Sequence, residues 1–190
     1  MLSAVRAEGK IAIPVATSGI AALLLPGGRT AHSRFKIPVK GLDQWSTCYI
    51  SRIGPLADLI RAAAIIVWDE APMGHRHVFE AVEKTLRDVM AATNPALADI
   101  PWGGKVVVLG GDFRQILPVV THGRKADIIA ATLNQSPLWR HVQVLKLHKN
   151  MRVQRIRDAG DYNERCNHPV SIWPHIVCKL HVQVTNCRSF

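Results

Sequence analysis

Three short runs in this chain are apolar without alternation, and each stops abruptly at glycine or polar residues. They are Ile11-Ala-Ile-Pro-Val15, followed by Ala16-Thr17-Ser18-Gly19; Ile65-Ile66-Val67-Trp68, followed by Asp69-Glu70; and Val106-Val107-Val108-Leu109, followed by Gly110-Gly111-Asp112. A strand that is apolar at every position has to be covered on both faces. The intervening stretches read as helices over 20–25, 56–64 and 78–90. The first is stopped by Pro26-Gly27-Gly28, and the last carries Val78, Val82, Leu86 and Val89 on one face. A fourth strand is expected over 142–147, and 29–55 reads as loop. Buried strands alternating with helices predict an α/β fold: a mostly parallel sheet with helices on both faces. Ligands of such sheets lie beyond the carboxyl ends of the strands. Here those ends read Thr17-Ser18-Gly19, Asp69-Glu70 and Gly111-Asp112.

Composition narrows the partners. With 48% hydrophobic and 20% charged residues, the 190-residue chain is not a disordered or low-complexity polymer. Lys and Arg number 24 against 14 Asp and Glu, a net charge of +10, which points to a polyanion: nucleic acid ahead of a membrane surface. Residues 140–190 hold 9 basic and 3 acidic side chains, more than half of that excess. Four scattered cysteines do not make a disulfide scaffold, and a reducing compartment fits them best. Arg6 and Lys10 precede an apolar stretch over 11–25, so a signal peptide or anchor is an alternative reading. That stretch is short of the ~20 residues a span needs, and Pro14, Thr17, Ser18 and Gly19 interrupt it. No membrane partner is expected. Periodicity fades near Gln154, dividing the chain into a domain over 1–153 and a poorly specified basic tail over 154–190.

Two constellations carry chemistry. Residues 65–70 have the form of a Walker B segment. Asp69 at the strand tip can hold Mg²⁺, and the adjacent Glu70 can orient and deprotonate a water attacking a terminal phosphate. The competing reading is structural, with both carboxylates capping a following helix that has Pro72 near its start. The second constellation, Gly110-Gly111-Asp112-Phe113-Arg114-Gln115-Ile116-Leu117-Pro118, begins 41 residues after Asp69. Its glycines allow a sharp turn off the strand, Gln115 can sense a terminal phosphate, and Asp112 can pair with Arg114. A plain polar turn is the alternative, and the spacing does not match G-x-G-x-x-G.

Taken with Ala16-Thr-Ser-Gly-Ile-Ala-Ala22, Gly28-Arg-Thr-Ala-His-Ser33, the block from Trp102 through Val119, and the segment 147–152, these residues resemble the ATPase core of DNA helicases of the petite-integration-frequency (PIF) type, in superfamily 1 and related to RecD. The resemblance implies a RecA-like P-loop NTPase sheet, ATP and Mg²⁺ as cofactors, and single-stranded DNA as partner. It further implies 5′-to-3′ helicase activity in nuclear DNA repair, recombination and telomere maintenance. By position, Asp69 and Glu70 match the Walker B pair, with Asp69 the metal ligand. Gln115 matches the glutamine on the terminal phosphate, and Arg152 the arginine that steadies the transferring phosphoryl group. Thr17, Ser18 and Gly19, then Thr30, His32 and Ser33, match two segments that touch the DNA backbone.

The sequence departs from the family in one respect that matters. It contains no G-x-x-x-x-G-K-[ST], since Gly9-Lys10 and Gly104-Lys105 are followed by Ile and Val. The expectation is a RecA-like sheet lacking its first strand and P-loop, with an unpaired sheet edge, in a chain that also lacks a second motor domain. A non-catalytic single-stranded DNA-binding fragment, or a transposon-derived helicase relic, is the alternative. In the tail, Cys166-x-His168 and Cys178-x₂-His181 are a poor match to zinc spacing, and scattered residues are the simpler reading.

Overall fold

The structure, a computed structural model, describes residues 1–112, 117–146 and 179–183, the last five as backbone only. Helix α1 (Leu2–Ala7) leads into β1 (Ile11–Ala16), α2 (Gly19–Leu24), β2 (Arg29–Thr30) and α3 (Ala31–Phe35). Helix α4 (Pro55–Ala62) runs directly into β3 (Ala63–Asp69), and α5 (Arg76–Ala91) precedes β4 (Val106–Gly111). Then come α6 (Lys125–Ala130), β5 (Gln143–Lys146) and β6 (Lys179–Gln183).

The three apolar runs are β1, β3 and β4. The sheet order is β2-β1-β3-β4-β6-β5, and the first four strands are parallel. Val15 pairs with Trp68 and Trp68 with Leu109, so the carboxyl ends of β1, β3 and β4 finish side by side. Successive residues of a strand face opposite ways, and each face finds its own cover. Ile13, Val15, Ile66, Trp68, Val107 and Leu109 pack against Phe35 of α3, Ile60 of α4 and the Val78, Val82, Leu86 and Val89 row of α5. Ala16, on the opposite face, packs with Ala21 and Ala22 of α2. The remaining apolar residues of α2, namely Ile20, Leu23 and Leu24, are exposed. Thus helices lie on both faces, with the heavier layer on one.

Three details differ from the sequence reading. Ala63 and Ala64, expected at the end of a helix, open β3 instead. Ala63 pairs with Ile11 and is buried, so sheet pairing outweighs alanine's helical preference. The loop-rich stretch contains β2 and α3, which are too short to show periodicity. The expected unpaired edge is not found at β4, where β6 runs antiparallel along 107–111 and then pairs antiparallel with β5. That strand falls within the stretch read as a tail.

The amino ends of the strands are held by side-chain caps. Trp102, at φ 58°, is buried, and its amide donates to the buried Glu83 carboxylate at 3.2 Å. Lys105 Nζ donates to Arg61 O at 2.5 Å and Ala63 O at 2.8 Å, closing the junction between α4 and β3; burial lowers its pKa. Among the described residues, the Trp102-Gly-Gly-Lys block therefore has a packing role, at the end of the sheet away from Asp69. Thr85 ties the loop after α3 to α5, accepting from Cys48 N at 2.9 Å and donating to Ala81 O at 2.7 Å.

At the carboxyl end of β4, Gly111 sits at φ 148°, and a Cβ there would lie 2.3 Å from Cδ of Pro72. Gly111→Ala is expected to cost on the order of 2 kcal/mol or more, from overpacking and backbone strain together. Gly19, with open space at its Cβ position and no positive φ, should accept alanine with little change. Urea midpoints at constant m-value check both.

Candidate functional site

Strand β3 delivers Asp69 and Glu70 to the carboxyl edge, and the fold fixes how they leave it. Trp68 is fully buried, with its ring centroid 4.5 Å from Phe79 and 6.0 Å from Phe35. Immediately after it the backbone turns. Asp69 Oδ1 accepts the Glu70 amide at 2.9 Å, and Glu70 adopts a left-handed conformation, φ 51° and ψ 37°. A non-glycine residue adopts that conformation only at a cost, and the chain then enters a short 3₁₀ turn over Ala71–Met73. Neither carboxylate caps a helix. Glu70 makes no side-chain cap, and α5 is capped by His75, whose Nδ1 accepts from His77 N. Glu70 thus holds the N-cap position of that 3₁₀ turn, with Pro72 inside it, without a capping bond from its side chain.

The Glu70 carboxylate reaches across to β1. Ser18 Oγ donates to Glu70 Oε2 at 2.5 Å and accepts from Ala21 N at 3.2 Å, capping α2. One residue earlier, the Thr17 amide donates to Asp69 O at 3.1 Å, and Thr17 Oγ1 accepts from Trp68 Nε1 at 3.0 Å. Four of the residues proposed from sequence thus form one hydrogen-bonded group: Thr17, Ser18, Asp69 and Glu70. Gly110 passes close to it, since a Cβ there would lie 3.4 Å from Asp69 Oδ1.

The second segment matched by resemblance to a DNA contact begins beside the first. Thr30 is the sheet neighbour of Ala16, and its Oγ1 accepts from Ser33 N at 3.3 Å, so it caps α3 as Ser18 caps α2. Ser33 is exposed and His32 half-buried. Burial lowers the His32 pKa, so the ring is neutral at pH 7 and offers hydrogen bonds rather than charge. Positive charge comes instead from Arg29 and Arg34, which the sequence reading did not single out. Burial and the nearby Arg29 both lower the Arg34 pKa, and its Nε is buried without a hydrogen-bond partner. Gln115 and Arg152 lie outside the described residues, as do Cys166, His168 and Cys178. His181 falls in β6, described as backbone only.

Among the described residues, no group of three or more His, Cys, Asp or Glu is placed to hold a metal, and no helix is long and apolar enough to cross a membrane. A cavity of ≈ 400 Å³ lies beside α5, lined by Trp45, Arg76, Glu80, Lys84 and Arg140 among others. It includes none of the edge residues. Its charges are engaged locally, with Ser136 Oγ on Glu80 at 2.7 Å and Arg87 against Glu83 at 2.8 Å. The sheet edge, where carboxylates and hydroxyls converge, is the candidate functional site.

Four parallel strands covered by helices on both faces, with carboxylates and hydroxyls at their carboxyl edge, form a RecA-like α/β domain. The family model for PIF1-like helicases matches residues 1–172. The chain is 31% identical over 121 residues to the ATP-dependent DNA helicase PIF4 of Trypanosoma brucei brucei (strain 927/4 GUTat10.1), covering 62% of this chain and 14% of that protein. It is 31% identical over 146 residues to the ATP-dependent DNA helicase Pif1 of Psychrobacter sp. (strain PRwf-1), covering 75% and 21%. Bacteroides Pif1 bound to ssDNA superposes with a TM-score of 0.57 at 26% identity, over 72% of this chain and 32% of that one. Bacteroides sp Pif1 in complex with ADP-AlF4 gives 0.56 at 25% identity, over 74% and 32%. The chain belongs to the PIF1-like helicase family and spans 14% and 21% of the two curated relatives it matches.

Two half-buried imidazoles, His32 and His75, make the fold sensitive to acid. A histidine with a lowered pKa binds fewer protons folded than unfolded. Its contribution is therefore full above the unfolded value of about 6.5 and is lost as pH falls below it. Stability, read as a urea midpoint, is expected to drop between pH 7.5 and 5, and His32→Gln should flatten part of that drop; the rest is assigned to His75, also lowered by burial.

Proposed function

We propose that this chain is the ATPase-core portion of an ATP-dependent DNA helicase that travels 5′-to-3′ on single-stranded DNA in nuclear DNA repair, recombination and telomere maintenance. One observation carries the reading: the Asp69-Glu70 pair and the Thr17-Ser18 segment share one hydrogen-bonded edge. Nucleotide chemistry and strand contact would then be neighbours. The reading is supported by the two curated relatives, both ATP-dependent DNA helicases, and by the structures of Bacteroides Pif1 bound to ssDNA and in complex with ADP-AlF4. Direction of travel, cellular process and compartment rest on the resemblance in sequence.

The residues fit their roles in part. Mg²⁺ keeps several waters and takes one or two protein carboxylates together with substrate phosphates. The half-buried Asp69 suits that demand, because its Oδ1 is oriented by the Glu70 amide. When bound, the ion neutralises charge on the phosphoryl group. Glu70 would orient the attacking water and accept its proton, with Gln115 and Arg152 assigned to the phosphoryl group by resemblance. Thr17, Ser18, Gly19, Thr30, His32 and Ser33 would meet the DNA backbone, with Arg29 and Arg34 supplying charge. No residue of this chain is assigned the phosphate cradle, since G-x-x-x-x-G-K-[ST] does not occur in its 190 residues. That absence favours a second reading, in which the chain binds single strands without hydrolysing nucleotide.

ATP turnover of the purified chain with and without oligo-dT separates the two. The helicase reading expects DNA-stimulated turnover that Glu70→Gln lowers by at least about a hundredfold, the lower bound for removing a general base. Salt-sensitive oligo-dT binding with no turnover in either chain would establish the second reading.

A further inference from the structure

Ser18 belongs to the segment assigned to DNA, yet its hydroxyl is already spent on Glu70. The contact is 2.5 Å long, spans 52 positions of sequence and is half-buried. A serine hydroxyl has one proton to give and two lone pairs to receive with. One lone pair receives Ala21 N, in the cap of α2. The single proton goes to the Glu70 carboxylate. A phosphodiester offers only acceptors, so it competes for that same proton. Ser18 can donate to Glu70 or to a strand, but not to both.

The surroundings favour an exchange over a simple loss. Gly19 is exposed and has nothing within 4 Å of its Cβ position, so a backbone phosphate can approach the start of α2. Thr17 Oγ1, one residue back, is held as an acceptor by Trp68. The α2 cap does not depend on where the Ser18 proton points, so the proton can be re-aimed with the helix intact. Glu70 is held in its left-handed backbone by the Asp69 hydrogen bond and the Ala71-Pro72 turn, so its side chain is the part free to respond.

Resting on the proposed strand-binding function, we propose that Ser18 is a positioning residue for Glu70, one that a bound strand recruits: without DNA its hydroxyl holds the Glu70 carboxylate, and a backbone phosphate takes that hydroxyl and releases the carboxylate. Strand occupancy is thereby linked to the availability of the proposed base through one proton. Linkage works both ways, so Glu70 in turn weakens strand binding by occupying Ser18.

A double-mutant cycle on the 190-residue chain tests this through affinity for a fluorescein-labelled oligo-dT, read by anisotropy at fixed low salt. Removing the Glu70 charge improves binding in any background by a common electrostatic factor. If Glu70 also withholds the Ser18 proton, Glu70→Ala tightens binding at least about threefold more in the parent than in Ser18→Gly, a coupling typical of contacting residues. Glycine deletes the hydroxyl while remaining tolerated at a helix start. Ser18→Ala is the second deletion should Ser18→Gly not fold, and Ser18→Thr, which keeps the hydroxyl, is expected to restore the parent's coupling. Equal Glu70→Ala effects with and without the hydroxyl overturn the link while leaving strand binding intact. Failure of every variant to bind oligo-dT overturns the strand-binding function and the link with it.

Discussion

The edge is organised around the need of a buried indole for an acceptor. Trp68 fills the space between β3 and the helices, touching Phe35 and Phe79, and its Nε1–H cannot be left unpaired there without cost. The partner is Thr17, at the end of the adjacent strand. Together with the backbone ladder and the Thr17 amide on Asp69 O, that bond holds the tips of β1 and β3 side by side, with Ser18 beside Glu70. A packing requirement in the core thus sets the geometry of polar groups at the rim.

The third strand contributes by what it omits. Gly111 brings β4 against Pro72 at a distance no side chain tolerates, and Gly110 passes Asp69 at ordinary contact distance. Gly111, expected to turn the chain off the strand, acts as a close-packing device. It holds the Glu70 turn from one side while Ser18 holds the Glu70 side chain from the other. The carboxylate is restrained by backbone strain, a neighbouring side chain and a single hydrogen bond, and only the last is readily exchanged for a ligand.

The parallel strands could be read from sequence because burial on both faces leaves an unmistakable apolar run. The α5 core row was equally plain, since Val78, Val82, Leu86 and Val89 repeat at helical spacing. The site was legible as two separate motifs, Thr17-Ser18 and Asp69-Glu70. Their bond was not, because nothing local to either tells a serine that its partner lies 52 residues away. Arg29 and Arg34 were passed over for a related reason: a lone arginine in a loop reads as solvated charge, and only the fold brings the two together. The start of β3 was misplaced because alanine carries no strand signal and follows whichever neighbour pairs with it.

Lys105 carries a lesson for interpreting variants. Its Gly-Lys context invites a nucleotide-binding role, yet the ammonium is folded inward onto two carbonyls at the junction of α4 and β3. A lesion there is expected to show as lost folded protein, whereas one at Ser18 leaves the core intact and bears on the exchange proposed above. The amino and carboxyl ends of the sheet thus separate an expected abundance phenotype from an expected binding one.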